Sequence, residues 1–375
     1  MSGSEWCETK PRTGPQGIAK GRVAEMFELA VVLTNRPDAS HARAALAHLA
    51  EELLKEGADP AIDQAIQAAP SREIARTLQH VVEAASERVV VYHNGVRAER
   101  LLFAVPVIAT FGQNVPESQF ESALSGLTGL NGLARTKQGE LEFAQVILLP
   151  KLFRLNDLIA MPLSIVREHG IHLAMAALSR HREWLPPITQ DGGFKRSTAF
   201  LRFLVGQRPL LEHEDRAGED GLCERLEGLT NQAISRCLGL PCRVQAVYVG
   251  SFHEGLYSGM WLYQERRLDQ LARASWAMTR RKQSLEARLM TYGCGHRFEM
   301  WVGFFAGNEA IGGHAYRLRL RPSEDPSRCM SRITSRLEVA GIKASALTQV
   351  DVPEERAFGR RMGGKVGSSV ITIPI

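Results

Sequence analysis

The chain has 375 residues, of which 44% are hydrophobic and 23% charged, and at roughly 150 residues per domain this length predicts two or three globular domains. The apolar content excludes a wholly disordered chain, and six cysteines are too sparse for a disulfide-stapled scaffold. A formal net charge of +5 is too small by itself to imply a polyanionic partner.

Residues 1–20 carry Glu5 and Glu8 and lack an apolar stretch, which predicts a flexible tail rather than a secretory or transit leader. Residues 21–88 read as a helical segment. Val23, Met26, Phe27, Ala30 and Leu33 recur at helical spacing. Asp38 or Ser40 is expected to cap a second helix with Ala42, Ala45, Leu49 and Leu53 inward, and Gly57 to end it. Asp59 then reads as the cap of a third helix with Pro60 at its first position, ending before Pro70. Ser71 caps a fourth, with Ile74, Leu78, Val81 and Val82 on its buried side.

At Arg88 the period changes to that of strands. Val89 to Tyr92 precede Asn94 and Gly95, a hairpin signal because both turn residues accept positive φ. Leu101 to Thr110 reads as a buried strand in which Pro106 cannot donate to a ladder, so an edge or bulge is expected there. The apolar run Leu101 to Phe111 is too short to span a membrane, which takes about 18 residues or more. Phe143 to Leu149 is a further strand, Pro162 opens a helix through Ile165, Val166, Leu173 and Ala176, and Pro186 to Gly193 is a linker.

Strands are then expected at Phe200–Val205, Val244–Gly250, Leu285–Tyr292, Phe298–Phe305 and His314–Arg321, with a last one near Ser345. Helices are expected near 219–238, 260–281 and 327–340, and Gly307, Asn308, Gly312 and Gly313 read as one hairpin connection. The fold class is therefore α+β: an N-terminal helical segment followed by mostly antiparallel sheet with packed helices, arranged as one sheet or as two related α/β units. The units fall at 89–193 and 194–355, followed by a basic, glycine-containing tail at 356–375.

The N-terminal helices around FELAVVL (27–33), AERLLFAVPVIA (98–109), VILLPKLFRLNDLIAMPLS (146–164), and YGCGHRFEMWVGFF with GGHAYRLRL (292–320) resemble a betaproteobacterial family of proteins carried as a domain of unknown function. The resemblance covers most of residues 21–345 and leaves out the tail from Arg360. It implies no activity, cofactor or catalytic residue.

Most catalytic signatures fail on inspection. Gly363, Gly364 and Lys365 are followed by Val366 rather than the Ser or Thr of a phosphate-binding loop. His213-Glu214 and His253-Glu254 lack the second histidine of a metalloprotease helix, and neither a nucleophile elbow nor a dinucleotide fingerprint is present. Glu168, His169 and His172 share one helical face and make a metal- or histidine-dependent enzyme one alternative, although a helix end with surface or core histidines explains the same residues. Cys237 and Cys242 are expected to be buried and structural. With cysteines only at 7, 223, 237, 242, 294 and 329 and no leader, reduced thiols and a cytoplasmic location are expected, with no metal and no cofactor.

Charge is unevenly distributed. From Gly259 to Ile375 there are 19 Lys plus Arg against 11 Asp plus Glu, and before Gly259 there are 27 against 30. An amphipathic basic helix is expected with Trp261, Leu268, Leu271, Ser275 and Met278 on one face and Arg266, Arg267, Arg273, Arg280, Arg281 and Lys282 on the others. Strand alternation puts Arg317, Arg319 and Arg321 together, with Tyr316 on the opposite side, so phosphate contacts rather than base stacking are expected. The 37 Arg against 9 Lys also fit a GC-rich bacterial genome, in which an arginine-lined face is simply solvated. The sequence thus points to a non-catalytic binding or accessory protein for nucleic acid or another anionic partner, with no membrane partner; the other alternative is a structural subunit docking through its N-terminal helices.

Overall fold

The computed structural model describes residues 16–93, 96–125, 144–148, 163–168, 187–192, 195–209, 222–279, 284–294, 297–307, 309–316 and 326–346. The fold is α+β, with two predominantly antiparallel sheets. Among the described residues no helix is long and apolar enough to cross a membrane.

Four helices come first: α1 (Gln16–Asn35), α2 (Ser40–Lys55), α3 (Asp59–Gln67) and α4 (Arg72–Glu87). They enclose their own core, built from Met26, Leu46, Leu53, Ile62, Leu78 and Val82. Gly57 ends α2 as expected: its φ of 67° lets Ala58 N–H reach the Leu53 carbonyl at 2.9 Å and Gly57 N–H reach that of Leu54 at 3.1 Å. Ser71 caps α4, its hydroxyl accepting from Ile74 N–H at 3.3 Å. Two expected caps differ. The residue before α2 is Ala39, with no side-chain cap, because Ser40 already lies inside the helix and its N–H turns back to the Asp38 carbonyl at 2.7 Å. Ala58, not Asp59, precedes α3. The Asp59 carboxylate instead accepts from the backbone N–H of Ser164 at 3.0 Å and from its hydroxyl, and so caps the short helix α6 (163–168) across 105 residues of sequence.

The larger sheet contains β1 (Arg88–His93), β2 (Val96–Phe111), β3 (Ala144–Leu148), β4 (Ile188–Gly192), β5 (Lys195–Pro209) and β6 (Cys242–Ala246). The long strands β2 and β5 pair along Arg100–Phe111. On the far edge of β2 lie β1 and β6 in tandem, and on the far edge of β5 lie β3 and β4. The stretch expected as a linker, Pro186–Gly193, instead carries β4, which pairs antiparallel with β5 in this sheet. Pro106 sits mid-strand, with a ladder partner, Phe203 of β5, on one flank alone. It is tolerated because its carbonyl, which accepts from Val247 N–H at 3.1 Å, points into the interval between β1 and β6, so the missing donor falls where no ladder runs.

Both faces of this sheet are covered, which explains the unbroken apolar run in β2. Phe103, Val105, Val107, Ala109 and Phe111 face α5 (Glu117–Ser125) and α7 (Leu222–Leu238). Leu102, Ala104 and Ile108 face α8 (Phe252–Met278). Arg202 on β5 is 3% exposed, paired with Glu121 of α5, and its guanidinium lies 4.9 Å from the Phe120 ring centroid.

The second sheet runs β10 (Lys343–Ala346), β7 (Leu285–Cys294), β8 (Arg297–Ala306), β9 (Glu309–Tyr316) in spatial order. The last strand, expected near Ser345, pairs parallel to β7 after the crossover helix α9 (Pro326–Val339). Gly307 (φ 62°) belongs to the β8–β9 connection, but Gly312 and Gly313 lie inside β9, beside the irregularity that leaves Ile311 without an opposite residue. The strand consequently starts at Glu309 rather than His314. Likewise β6 ends at Ala246, short of the expected Gly250.

Candidate functional site

The helix expected to be basic and amphipathic begins at Phe252, eight residues earlier than periodicity suggests, because Ser251 caps it by accepting Glu254 N–H at 3.2 Å. One side of α8 packs on the larger sheet through Phe252, Leu256 and Tyr263, and burial pushes the Tyr263 phenol up to about 12. The other side packs on the smaller sheet and α9 through Tyr257, Met260, Trp261, Leu268 and Leu271. Of the face expected inward, Trp261, Leu268, Leu271 and Ser275 are buried and Met278 is exposed, while Arg266 and Arg267 are half-buried and Arg273 is exposed.

The arginines of this helix are accordingly separated. Arg266 donates to Gln245 of β6 at 2.9 Å, while Arg267, about 100° further round the helix, donates to Gln270. Arg273 is exposed. Arg280, Arg281, Lys282, Arg317, Arg319 and Arg321 lie outside the described residues. Two arginines not counted in that patch, Arg332 and Arg336 on α9, pair with Glu265 and Asp269 of α8; the Arg336–Asp269 pair is two-pronged, at 3.0 and 2.6 Å. Arg332 and Arg336 are thus neutralised between two helices, by acids already counted among the 11 from Gly259 onward. At the C-terminal end of α8, Trp276 is 41% and Met278 53% exposed.

Glu168 is the exposed last residue of α6, and His169 and His172 lie outside the described residues. Among the described residues no group of three His, Cys, Asp or Glu is placed to hold a metal. Cys237 is exposed rather than buried, because it falls on the outer side of α7. Cys242 is half-buried, with its sulfur 3.3 Å from Asn231 Oδ1, and burial raises its thiol pKa.

Two features were not singled out by the sequence. The first is a buried polar joint where α4 meets the start of α8. Ser86 is fully buried and Glu87 is 2% exposed. The Ser86 hydroxyl donates to the Glu83 carbonyl at 2.7 Å and lies 2.9 Å from His253 Nε2. With its one proton committed to that carbonyl, Ser86 accepts from Nε2–H, so His253 is a donor and not a base toward the hydroxyl. The Glu87 carboxyl accepts from the backbone N–H of His253 at 2.8 Å and does not orient the imidazole. Serine, histidine and glutamate are adjacent, yet the arrangement is a helix joint and not a nucleophilic triad. Burial, reinforced by Glu83, pushes the Glu87 carboxyl up to about 8 despite the bonds from the α8 terminus.

The second feature is a groove along the outer face of α4, a cavity of about 760 Å³ reaching α2 on one side and Glu254 and Tyr257 of α8 at its end. Arg43, Arg76, His80 and Arg88 stand on its walls. Its signal in the sequence was the spacing of Arg76, His80 and Ala84, which places them on one face of α4. Comparison of the chain with protein-family models, with curated proteins and with solved structures returned no match.

Proposed function

We propose that this chain is a cytoplasmic binding or accessory protein, without catalytic chemistry of its own, that contacts nucleic acid through its basic C-terminal part. The observation that carries the reading is the C-terminal end of α8, where Arg273 is exposed and the indole of Trp276, three residues on, is accessible. A guanidinium takes phosphate oxygens through forked donors, and an accessible indole offers a face to an unpaired base. This adds stacking to the phosphate contacts expected from the sequence. The excess of 19 cations over 11 acids from Gly259 onward supports the same sign of partner.

Anisotropy titrations of labelled single-stranded DNA and RNA of about 20 nucleotides should give affinities that fall linearly with salt on logarithmic axes. Arg266→Glu combined with Arg273→Glu should weaken binding by about tenfold or more with the helical signal unchanged, and Trp276→Ala by a comparable factor. No binding to either nucleic acid at low salt would overturn the reading.

A further inference from the structure

We infer that the joint between α4 and α8 is a proton-controlled latch, closed while the Glu87 carboxyl keeps its proton and opened when that proton is lost. The latch lies at the other end of α8 from the proposed nucleic-acid contact and does not depend on that reading. The N-terminal helices form a body of their own, since no residue of the core they enclose belongs to the core of either sheet. Three connections tie this body to the rest. The helix α4 runs directly into β1, α6 is bonded to Asp59 and to the Ala85 carbonyl, and the end of α4 meets the start of α8 at Ser86, Glu87 and His253.

Glu87 stands where two helix ends meet. It is the last residue of α4, where the helix dipole disfavours an anion, and it touches the first turn of α8, where the dipole favours one. From α8 it accepts the N–H groups of Phe252 and His253 and the hydroxyl of Ser251. Against these donors stand its burial, at 2% exposure, and the like charge of Glu83, and these prevail. The other charged or titratable groups on the elements that meet the end of α4 are Arg88 of β1, Arg100 of β2 opposite Val89, His253 and Glu254 of α8, and Arg167 of α6. Arg167 is committed to the Ala85 carbonyl at 2.6 Å and to Glu51 at 3.2 Å. His253 donates from Nε2 to Ser86 in either of its protonation states, so its own titration leaves that contact intact. An ionised carboxylate in this enclosure is stabilised by water, and water reaches it when the two helix ends part. The extended backbone at Arg88, with φ −78° and ψ 112°, is the pivot, and the bonds of α6 to Asp59 and Glu51 limit the movement.

Amide hydrogen exchange of the full chain from about pH 5.5 to 9, corrected for the intrinsic rate, tests the latch. The His253 N–H lies in the first turn of α8 and has no acceptor within its own helix, so its protection comes from Glu87. Below about 8 the closed latch is neutral and the opened one ionised, so the opening constant should rise by up to about tenfold per pH unit and level off above 8. At pH 8 it should exceed that of the β2 and β5 amides by at least about tenfold, the mark of a local parting rather than global unfolding. Glu87→Gln should abolish the rise. Ser86→Ala removes the contact to His253 and keeps the titrating carboxyl, so it should raise opening at every pH with an unchanged slope, and it serves if Glu87→Gln disturbs the joint. Protection of His253 that is independent of pH, a slope retained in Glu87→Gln, a slope lost in Ser86→Ala, or exchange at His253 no faster than in β2 would overturn the proposal.

Discussion

At the scale of single residues, Glu87 has the largest consequence. Its carboxyl is held near 8 in the folded chain, well above the value of about 4.3 expected once unfolded. Between those limits the native state binds more protons than the unfolded state, so this group makes stability fall as pH rises from about 4.3 to 8, after which the loss is complete. Burial is the main cause of the raised value, opposed by the backbone N–H of His253 and reinforced by the like charge of Glu83. Glu87→Gln keeps an acceptor for that N–H and removes the titration. Melting curves recorded from pH 5 to 9 should therefore show the wild type losing stability relative to the variant, by up to a few kcal/mol in total. Parallel pH profiles would show that Glu87 does not carry this slope. Ser71 and Gly57 were readable in the sequence because each acts on its own helix end. Glu87 was not, because the N–H it accepts from is 166 residues away.

At the scale of elements, α8 is held to the larger sheet by two glycines one turn apart. A Cβ on Gly255 would lie 1.9 Å from the Ala104 carbonyl oxygen, and one on Gly259 would lie 2.4 Å from the Phe203 ring and 2.8 Å from Pro106 Cβ. The obstacle at Gly255 is backbone, so the helix itself must shift. We expect Gly255→Ala to destabilise the protein by about 3 kcal/mol, measured by denaturant unfolding, and Gly228→Ala, exposed within α7 with nothing within 4 Å, to stabilise it by up to about 1 kcal/mol. Comparable midpoints for the two would show that the close approach is not rigid. The start of α8 is legible in the sequence: Ser251 followed three residues later by Glu254 is a capping-box spacing.

At the scale of the whole molecule, α8 is the layer common to both sheets. Its residues belong to the core of the larger sheet on one side and to the core of the smaller sheet and α9 on the other. Unfolding either sheet strips one side of this helix, so the two sheets should lose structure together. Circular dichroism and tryptophan fluorescence are expected to report one coincident thermal transition, and two separated transitions would show that the sheets are independent. Charge follows the same organisation. Arg332 and Arg336 would read as part of a basic surface from composition alone, but α9 lies against the acids of α8 and they neutralise each other there.

What the sequence determined by itself was local: helix periods in α1 to α4, the change to strand patterning at Arg88, the positions of β7 and β8, and the α+β class, all set by backbone preference and by the alternation of apolar residues along one element. Only the tertiary structure decided which elements share a core, that Pro106 faces an interval in the ladder, that Asp59 caps α6, and that Arg332 and Arg336 are paired with acids of α8. Those outcomes depend on pairings between residues far apart in the chain, and neither composition nor periodicity specifies which distant group will satisfy a buried donor or neutralise a charge.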